Sequence, residues 1–416
     1  MRREAFTNRG MNSGTRTMRP LRIALLTHSV RPRGGVIHTL ELAQALCALG
    51  HVVVVIASAE QGESLFRQVD HPFELIRLPQ LSGDLVEQVR QRISCLCEGL
   101  PAILERGSFD IVHAQDSLSG NALATLRERG QLSAPWLRTV HHLDVFSQPV
   151  LNTWQERAWR SADSVACVSD MWRSHIQDAY GTNAMRMFNG VNLNRFSPQR
   201  ATFDDEGWAA LGLGSPVGPI CLTVGGVEGR KNTVRLLKAF ALLRLTDPAW
   251  ADATLVVAGG ASMLDHAAAR SEWHQVLAGI GLVEGAGQPV VRTGPLPDEM
   301  LPALMRRADV LAMPSLVEGF GLAALEALAC GTPALVSNRA PFTEHFAGSP
   351  GVAWCDPEDV GSIALGLKEG AAMGRLPSPP PICKEYSWSR SALLHHAWYS
   401  DAIRAAQSLS VQSVSI

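Results

Sequence analysis

The stretch 309–344 reads DVLAMPSLVEGFGLAALEALACGTPALVSNRAPFTE, and it contains the patterns of a strand, a turn, a helix and a second strand. The apolar run Val310–Met313 ends at Pro314 and predicts a buried strand of a parallel sheet. After a Gly-Phe-Gly turn, leucines recur at helical spacing until Gly331, a typical residue at the end of a helix. The apolar run Ala334–Ser337 predicts the next strand. This order of elements indicates an α/β fold.

The Gly-Phe-Gly turn suits an anionic ligand. A strand that enters a helix through glycines directs free backbone N–H groups, and the positive end of the helix dipole, beyond the carboxyl edge of the sheet. We therefore predict a phosphate site here. The residues expected to contact the ligand are Gly319, Phe320, Gly321 and Leu322.

Two glutamates flank this turn. Glu318 directly precedes it, and Glu326 lies about two turns inside the predicted helix. Carboxylates beside a diphosphate are useful as acceptors for hydroxyl groups. A ligand with a diphosphate between two polyol groups is a nucleotide sugar, with Glu326 on the ribose and Glu318 on the transferred sugar. For an isolated pair of glutamates, the alternative is a first-turn helix charge and a solvated helix residue.

A second glycine-rich segment, VGGVEGRKN at 224–232, follows a predicted strand and precedes a predicted helix at 233–245. Arg230 and Lys231 stand next to the start of that helix, where the helix dipole disfavours a cation. An anionic ligand would account for both cations. The alternative is a solvated Arg-Lys pair.

The N-terminal half opens with a strand at 21–27, a basic loop at 28–35, a helix at 36–49 and a strand at 52–57. This is a βαβ unit. The loop contains Gly34 and Gly35 but lacks the G-x-G-x-x-G spacing of a dinucleotide site. Its glycines would instead allow close approach of a phosphate or sugar, although such a pair can also be a simple turn.

Two histidines, His141 and His142, follow the predicted strand Trp136–Val140. The carboxyl end of a parallel strand is where open α/β sheets bind ligands. A metal site is disfavoured because adjacent residues of a strand point to opposite faces and no third ligand stands nearby in the sequence.

The segment EGFGLAALEALACGTPALVS resembles the E-x7-E segment of glycosyltransferase family 4, a large retaining family with the GT-B fold. MRMFNGVNLNRFSP, at 185–198, resembles the family's N-G-V-D-x-x-x-F-x-P segment, with Asn192 in place of Asp. YSWS, at 386–389, resembles the start of F-S-W-x-x-x-A. The segment at 224–232 resembles V-G-R-x-x-x-x-K, but Gly226 occupies the arginine position. Lys231 is retained, and Arg230 is the candidate substitute for the missing arginine.

The resemblance implies two Rossmann-like, doubly wound α/β domains that face a central cleft. It also implies retaining, metal-independent, hexosyltransferase-type transfer of a sugar from a nucleotide sugar, such as a UDP- or GDP-sugar, to an acceptor hydroxyl. The expected catalytic residues are His141 (with His142 as the alternative), Lys231, Arg230 and Glu318. The expected donor-binding residues are Gly34, Gly35, Gly226, Gly319, Phe320, Gly321, Leu322 and Glu326. No cofactor is expected.

Composition sets broader limits. A chain of 416 residues predicts two domains. A net charge of −2 provides no general attraction to nucleic acid. Apolar runs are shorter than the roughly 20 residues of a membrane span, so any membrane contact would be peripheral. The eight cysteines form no C-x-x-C pair, which predicts reduced, buried thiols and a cytoplasmic location.

The predicted boundaries run as follows. A disordered leader covers 1–19, an acceptor-side domain 20–200, a linker 201–218 and a donor domain 219–388. A C-terminal helix at 389–406 returns to the first domain, and 407–416 form a disordered tail. The acceptor, whether glycan, lipid or small molecule, stays open. So do two competing functions: another GT-B activity, such as that of a sugar-nucleotide epimerase or a phosphorylase, and a catalytically silent nucleotide-sugar or glycan-binding protein.

Overall fold

A computed structural model of the chain describes residues 19–215, 217–260 and 266–414. Its first domain is built on a parallel sheet of seven strands in the order β3-β2-β1-β4-β5-β6-β7. The strands are β1 (Arg22–Thr27), β2 (Val52–Ala59), β3 (Phe73–Arg77), β4 (Ile111–Ala114), β5 (Trp136–Val140), β6 (Ser164–Cys167) and β7 (Met185–Arg186). The helices are α1 (Gly34–Ala48), α2 (Leu85–Gly107), α3 (Ser117–Glu128), α4 (Pro149–Arg160) and α5 (Asp170–Tyr180).

A short helix, α6 (Asp204–Ala210), leads to the second domain. This domain has a six-stranded parallel sheet in the order β10-β9-β8-β11-β12-β13. Its strands are β8 (Ile220–Val224), β9 (Thr254–Ala258), β10 (Val290–Gly294), β11 (Val310–Met313), β12 (Ala334–Ser337) and β13 (Val352–Cys355). Its helices are α7 (Thr233–Thr246), a 3₁₀ turn (Pro248–Trp250), α8 (Ala267–Ile280), α9 (Met300–Arg307), α10 (Leu322–Ala329), α11 (Phe342–Phe346), α12 (Val360–Ala372) and α13 (Ile382–Glu385).

The predicted strand–helix–strand order of 309–344 is confirmed, since β11, α10 and β12 occupy it. All four residues of β11 and all four of β12 are buried, because helices cover both faces of a parallel sheet. The prediction of two doubly wound α/β domains is likewise confirmed.

The last helix, α14 (Trp388–Val414), packs back on the first domain. Trp388, Trp398 and Tyr399 are buried in one hydrophobic cluster with Leu40 of α1 and Leu25 of β1. The helix predicted at 389–406 thus lies within α14 and contacts the first domain. The prediction of a disordered tail at 407–416 is wrong for 407–414, because the helix continues through Val414; residues 415 and 416 lie outside the described part of the chain.

The segment 201–218, predicted as a linker from its glycines and prolines, contains the ordered helix α6. The Trp208 side chain is only 6% exposed and donates a hydrogen bond to the Ala303 carbonyl at 2.8 Å. The buried carboxylate of Asp204 accepts two hydrogen bonds, each of 2.7 Å, from the Arg306 guanidinium. The glycines and prolines of this segment gave no indication of α6, because α6 is held in place by contacts with α9, about a hundred residues further along the chain. The predicted leader lies outside the described residues except for Arg19.

The two domains meet at the carboxyl edges of their sheets. The Glu344 carboxylate, from the second domain, accepts hydrogen bonds from Asp170 N at 2.8 Å and Met171 N at 2.7 Å in the first turn of α5. The indole nitrogen of Trp172 donates to the Glu318 carbonyl oxygen at 3.1 Å. The cleft between the sheets is therefore lined by both domains. Within the described residues, every helix is too short or too polar to cross a membrane.

Candidate active site between the two sheets

Two loops of the second domain lie side by side because their strands, β8 and β11, are neighbours in the sheet. The chain order reverses between these two strands, and this is the position where open α/β sheets bind ligands. The Leu316 N–H donates to the Arg230 carbonyl oxygen at 2.8 Å, and Asn232 Nδ2 donates to the Pro314 carbonyl oxygen at 3.0 Å. The structure thus brings together the two motifs that were separate in the sequence.

Lys231 and Glu318 form an ion pair at the centre of this region. Lys231 Nζ lies 2.6 Å from Glu318 Oε2, and Arg230 Nη1 lies 3.9 Å from the same oxygen. Glu318 Oε1 accepts a hydrogen bond from the Gly319 N–H at 3.0 Å. Burial alone would raise the pKa of Glu318, but Lys231 and Arg230 outweigh it and hold that pKa at about 2.

The partners of the Glu318 carboxylate are those that a phosphate oxygen would take. An ammonium group, a nearby guanidinium and a backbone N–H before a helix all converge on it. The first turn of α10 adds N–H groups that have no partner within the helix. In this arrangement, the Glu318 carboxylate occupies the position in which a bound anion would lie.

Two glycines of the predicted phosphate turn are required by their surroundings. Gly321 has φ of +98°, and a Cβ atom there would lie 2.8 Å from Phe342 Cε1. A Cβ atom at Gly319 would lie 2.3 Å from the carbonyl oxygen of His141 in the other domain. Glycine at 319 therefore lets the two domains approach each other across the cleft.

The Phe320 side chain does not line the cleft, so its predicted contact with the donor depends on its backbone N–H group. It is 2% exposed and packs against the rings of His345 and Tyr386, with centroid distances of 4.3 Å and 5.3 Å. Only the backbone of Phe320 can face a ligand. Leu322, the first residue of α10, is partly buried and packs against hydrophobic clusters of both domains.

The backbone conformation at position 226 explains why glycine stands there in place of the arginine of the family motif. Its φ is +72°, a conformation that favours glycine, and a Cβ atom there would lie 3.1 Å from the Gly260 carbonyl oxygen. Arginine at this position would be strained. Arg230 instead provides a guanidinium nearby, and its Nη2 lies 3.2 Å from Glu228 Oε2.

Glu326 is buried, with 8% of its surface exposed. Burial raises its pKa to about 8, and the negative potential of Glu41 and Asp298 acts in the same direction, against Arg195. In the described structure this carboxyl group is therefore mostly protonated at neutral pH. The sequence predicted a carboxylate that accepts hydrogen bonds from the ribose, and it gave no sign of this raised pKa, because burial of the side chain depends on the tertiary fold.

The first domain contributes His141 to the cleft. A Cβ atom at Gly35, in the first turn of α1, would lie 3.7 Å from His141 Cδ2, and Gly34 is the first residue of that helix. Burial holds the pKa of His141 well below its usual value, so the ring is neutral. His142 Nε2 instead lies 3.3 Å from Asp144 Oδ2. His141 is thus the histidine that lies beside both Gly35 and Gly319.

A buried hydrogen-bond network leads from His141 to the C-terminal helix. His141 Nε2 lies 3.0 Å from Gln115 Oε1, and Gln115 Nε2 lies 3.2 Å from His113 Nδ1. The ring of His113 also contacts Tyr399 Oη and Thr139 Oγ1, each at 2.8 Å. Since an amide oxygen only accepts hydrogen bonds, His141 donates through Nε2, and its Nδ1 is left as an acceptor.

Sequence reasoning missed three residues that shape the cleft: Gln115, Trp172 and Glu344. Gln115 could have been found, because it directly follows β4 and so lies at the ligand-binding edge of the sheet. Trp172 and Glu344 act across the two domains, with partners 146 and 174 positions away. No local pattern indicates such pairs. The described residues contain no cluster of three or more His, Cys, Asp or Glu suited to a metal ion.

Two family models match this chain. The one described as Glycosyltransferase Family 4 covers residues 32–195, and the one described as Glycosyl transferases group 1 covers residues 216–370. Among curated proteins, a D-inositol 3-phosphate glycosyltransferase of Salinispora arenicola is 30% identical over an alignment of 373 positions, which covers 80% of each chain. A mannosylfructose-phosphate synthase of Agrobacterium fabrum is 24% identical over an alignment of 416 positions, which covers 90% of this chain and 89% of the relative.

Solved structures share the fold. A sucrose-phosphate synthase of Thermosynechococcus elongatus superposes with a TM-score of 0.73 at 21% identity, covering 92% of this chain and 99% of its own. The Anabaena protein HepE, in complex with UDP and glucose, superposes with a TM-score of 0.66 at 18% identity, covering 95% and 100%.

Proposed function

This chain belongs to the group 1 glycosyltransferases of family 4, and on that basis we propose that the sugar it transfers comes from a nucleoside diphosphate sugar. The observation that carries the proposal is the convergence of Lys231, Arg230 and the Gly319 N–H on one carboxylate at the start of α10. The complex of the Anabaena neighbour with UDP and glucose supports the same ligand class.

Lys231, Arg230 and the N-terminus of α10 would stabilise the departing diphosphate. Cleavage of the bond from the sugar's anomeric carbon to the diphosphate oxygen leaves negative charge on that oxygen. Preorganised cations and N–H groups stabilise such developing charge strongly in a partly buried site. A new bond then joins the anomeric carbon to the acceptor oxygen, and the acceptor's proton leaves with the diphosphate.

The glutamates would hold the two polyol groups of the donor. When a diphosphate binds Lys231 and the Gly319 N–H, the Glu318 carboxylate is released to accept hydrogen bonds from hydroxyl groups of the sugar. Glu326, in the middle of α10, would accept hydrogen bonds from the ribose. His141 would meet the sugar from the opposite domain and accept a hydroxyl hydrogen bond through Nδ1.

Retention of anomeric configuration and independence from a metal ion are part of this proposal. Family membership supports retention, and the cations beside Glu318 provide the charge that a divalent ion would otherwise supply. Activity should then survive EDTA. A need for added Mg²⁺ or Mn²⁺ after EDTA treatment would refute the metal-independent form of the proposal.

A cytoplasmic location is proposed on the state of the thiols. All eight cysteines are free, and six are buried. Free thiols persist in reducing compartments. A membrane-associated acceptor would require peripheral contact in this setting.

The proposal is tested with UDP-, GDP- and ADP-glucose. Thermal shift should identify one nucleoside diphosphate that stabilises the protein, and the corresponding labelled nucleotide sugar should be cleaved or transferred. Nuclear magnetic resonance of the initial product should show the anomeric configuration of the donor. If none of these nucleotides binds and none of the sugars is consumed, the chain does not use this donor class. Inverted product would overturn retention alone.

A further inference from the structure

A small cavity lies in the first domain, at the carboxyl ends of β1 and β2, apart from the Lys231–Glu318 pair. Its volume is about 160 Å³, below the roughly 300–1,000 Å³ of sites for drug-sized ligands. The loop after β1, the loop after β2 and the start of α2 form its walls. Its lining is mostly polar and includes Arg31, Arg92, Glu60, Glu63, Gln88 and Ser58.

The charged groups of this cavity are arranged in pairs. Arg31 Nε donates to Glu63 Oε1 at 2.7 Å, and Arg92 Nη2 donates to Glu60 Oε1 at 2.6 Å. The Glu60 N–H donates to Glu63 Oε2 at 2.9 Å, which ties the two pairs together. The cavity therefore contains both hydrogen-bond donors and hydrogen-bond acceptors, which bind one another in the absence of a ligand.

The cavity adjoins the proposed reaction centre. Arg33 lines it and directly precedes Gly34 and Gly35, and the latter lies against His141. On another wall, His28 Nδ1 lies 3.5 Å from the carboxylate of Asp116, which follows the His141 partner Gln115 in the chain. Burial lowers the pKa of Arg33, and Glu228 and Arg230 of the second domain lie near enough to act on it as well. A small molecule in the cavity would thus lie close to the second-domain loop that carries Arg230 and to Gly35, beside which the proposed donor sugar would meet His141.

We propose that this cavity holds the acceptor and that the acceptor is a small, water-soluble polyol, free or phosphorylated, rather than a lipid. The assignment rests on the proposed function, because it presumes a donor sugar in the cleft. Paired guanidinium and carboxylate groups match hydroxyl groups, which both donate and accept hydrogen bonds. The guanidinium groups of Arg31, Arg33 and Arg92 line the cavity, and guanidinium groups can also bind a phosphate on the polyol.

The same lining is unsuited to an acyl chain. Leu85 and Val89 are its apolar members, and the other side chains would lose water without gaining partners if hydrocarbon filled the space. Burying polar groups without hydrogen bonds is unfavourable. A lipid acceptor would need a larger apolar surface near His141.

The test uses the full-length protein with whichever of UDP-, GDP- and ADP-glucose binds. Release of nucleoside diphosphate is followed with glucose, fructose, myo-inositol and a monophosphate of each as acceptors. Dioleoylglycerol in phosphatidylcholine vesicles provides the lipid arm. The matched variants are Arg31→Gln and Glu63→Gln, with Arg106→Gln as the control, since Arg106 forms a similar exposed ion pair with Glu74 elsewhere on the domain.

We expect at least one polyol to accelerate nucleotide release, with formation of a glycosylated product. Arg31→Gln and Glu63→Gln should raise the KM for that acceptor at least tenfold without changing the affinity for the nucleoside diphosphate, and Arg106→Gln should match the wild type. Stimulation by the lipid alone, by none of these acceptors, or equally in all variants would overturn the cavity assignment. Absence of nucleotide binding would instead overturn the proposed function beneath it, so the two failures are distinguishable.

Discussion

The ammonium nitrogen of Lys231 lies 2.6 Å from Glu318 Oε2, although the two residues are 87 positions apart in the chain. Their strands, β8 and β11, are neighbours, and this places both residues at the ligand-binding edge of the second sheet. Without a ligand, the negative charge of Glu318 takes the partners that a diphosphate would need. Under the proposed function, the pair would therefore link donor binding to the release of Glu318.

If Glu318 and the diphosphate compete for Lys231, Glu318→Gln should strengthen binding of the nucleoside diphosphate but lower the rate of sugar transfer. Removing the negative charge frees Lys231 and Gly319, so affinity for the free nucleoside diphosphate should rise about tenfold, near the lower limit for hydrogen bonds to a charged group. The rate of sugar transfer should fall, because the sugar loses its charged acceptor. Calorimetric titration and steady-state kinetics measure both, with Glu272→Gln, an exposed ion-paired position, as control. Unchanged or weaker diphosphate binding would contradict the competition.

A second prediction concerns proton release when the nucleotide binds. The pKa of Glu326 is about 8 without ligand, and hydrogen bonds from ribose hydroxyls favour the charged form, which lowers that pKa. Binding at pH 7 should therefore release a fraction of a proton. Titrations in two buffers of different ionisation enthalpy measure it. Glu326→Gln should abolish the release and weaken binding about tenfold or more; equal proton release in both proteins would place Glu326 outside the ribose site.

The raised pKa of Glu326 also leads to a prediction of how folding stability changes with pH. The pKa of Glu326 in the folded protein, about 8, lies above the ordinary value of about 4.3 for an unfolded chain. Between these values the folded state binds more protons, so this residue lowers stability as pH rises through that window. The Tm of Glu326→Gln relative to wild type should increase from pH 5 to pH 8.5. A constant difference would mean that Glu326 is already ionised in the ligand-free protein.

The network beneath His141 gives a prediction for Gln115. Gln115→Leu removes the acceptor that fixes Nε2 as the donor, so kcat should fall about fivefold to tenfold, the scale of one lost hydrogen bond. Gln115→Glu should retain the acceptor but raise the pKa of His141, which adds an ionisation to the pH–rate profile. The exposed position Gln131 supplies the control, Gln131→Leu. If Gln115→Glu has the wild-type profile, Gln115 does not position His141.

The helices and strands around the site could be predicted because each is specified by residues that are close together in the sequence. The apolar runs of β11 and β12 and the stop at Gly331 place α10 between its observed ends. The same patterns place Lys231, Glu318 and His141 at the carboxyl edges of strands. What they left out depends on distant parts of the chain: the burial that keeps Glu326 protonated, the cap that Glu344 provides to α5, and the ion pair that holds α6.

The rate of sugar transfer by Lys231→Ala tests the central claim most directly. If Lys231 stabilises the departing diphosphate, its loss should lower the rate about 10²–10³-fold, the usual cost of one preorganised electrostatic contact. Lys238→Ala, which removes an exposed lysine from the following helix, should retain the wild-type rate, and circular dichroism should confirm that both variants are folded. A folded Lys231→Ala protein with wild-type activity would contradict the assignment of this site to the diphosphate of a nucleotide sugar.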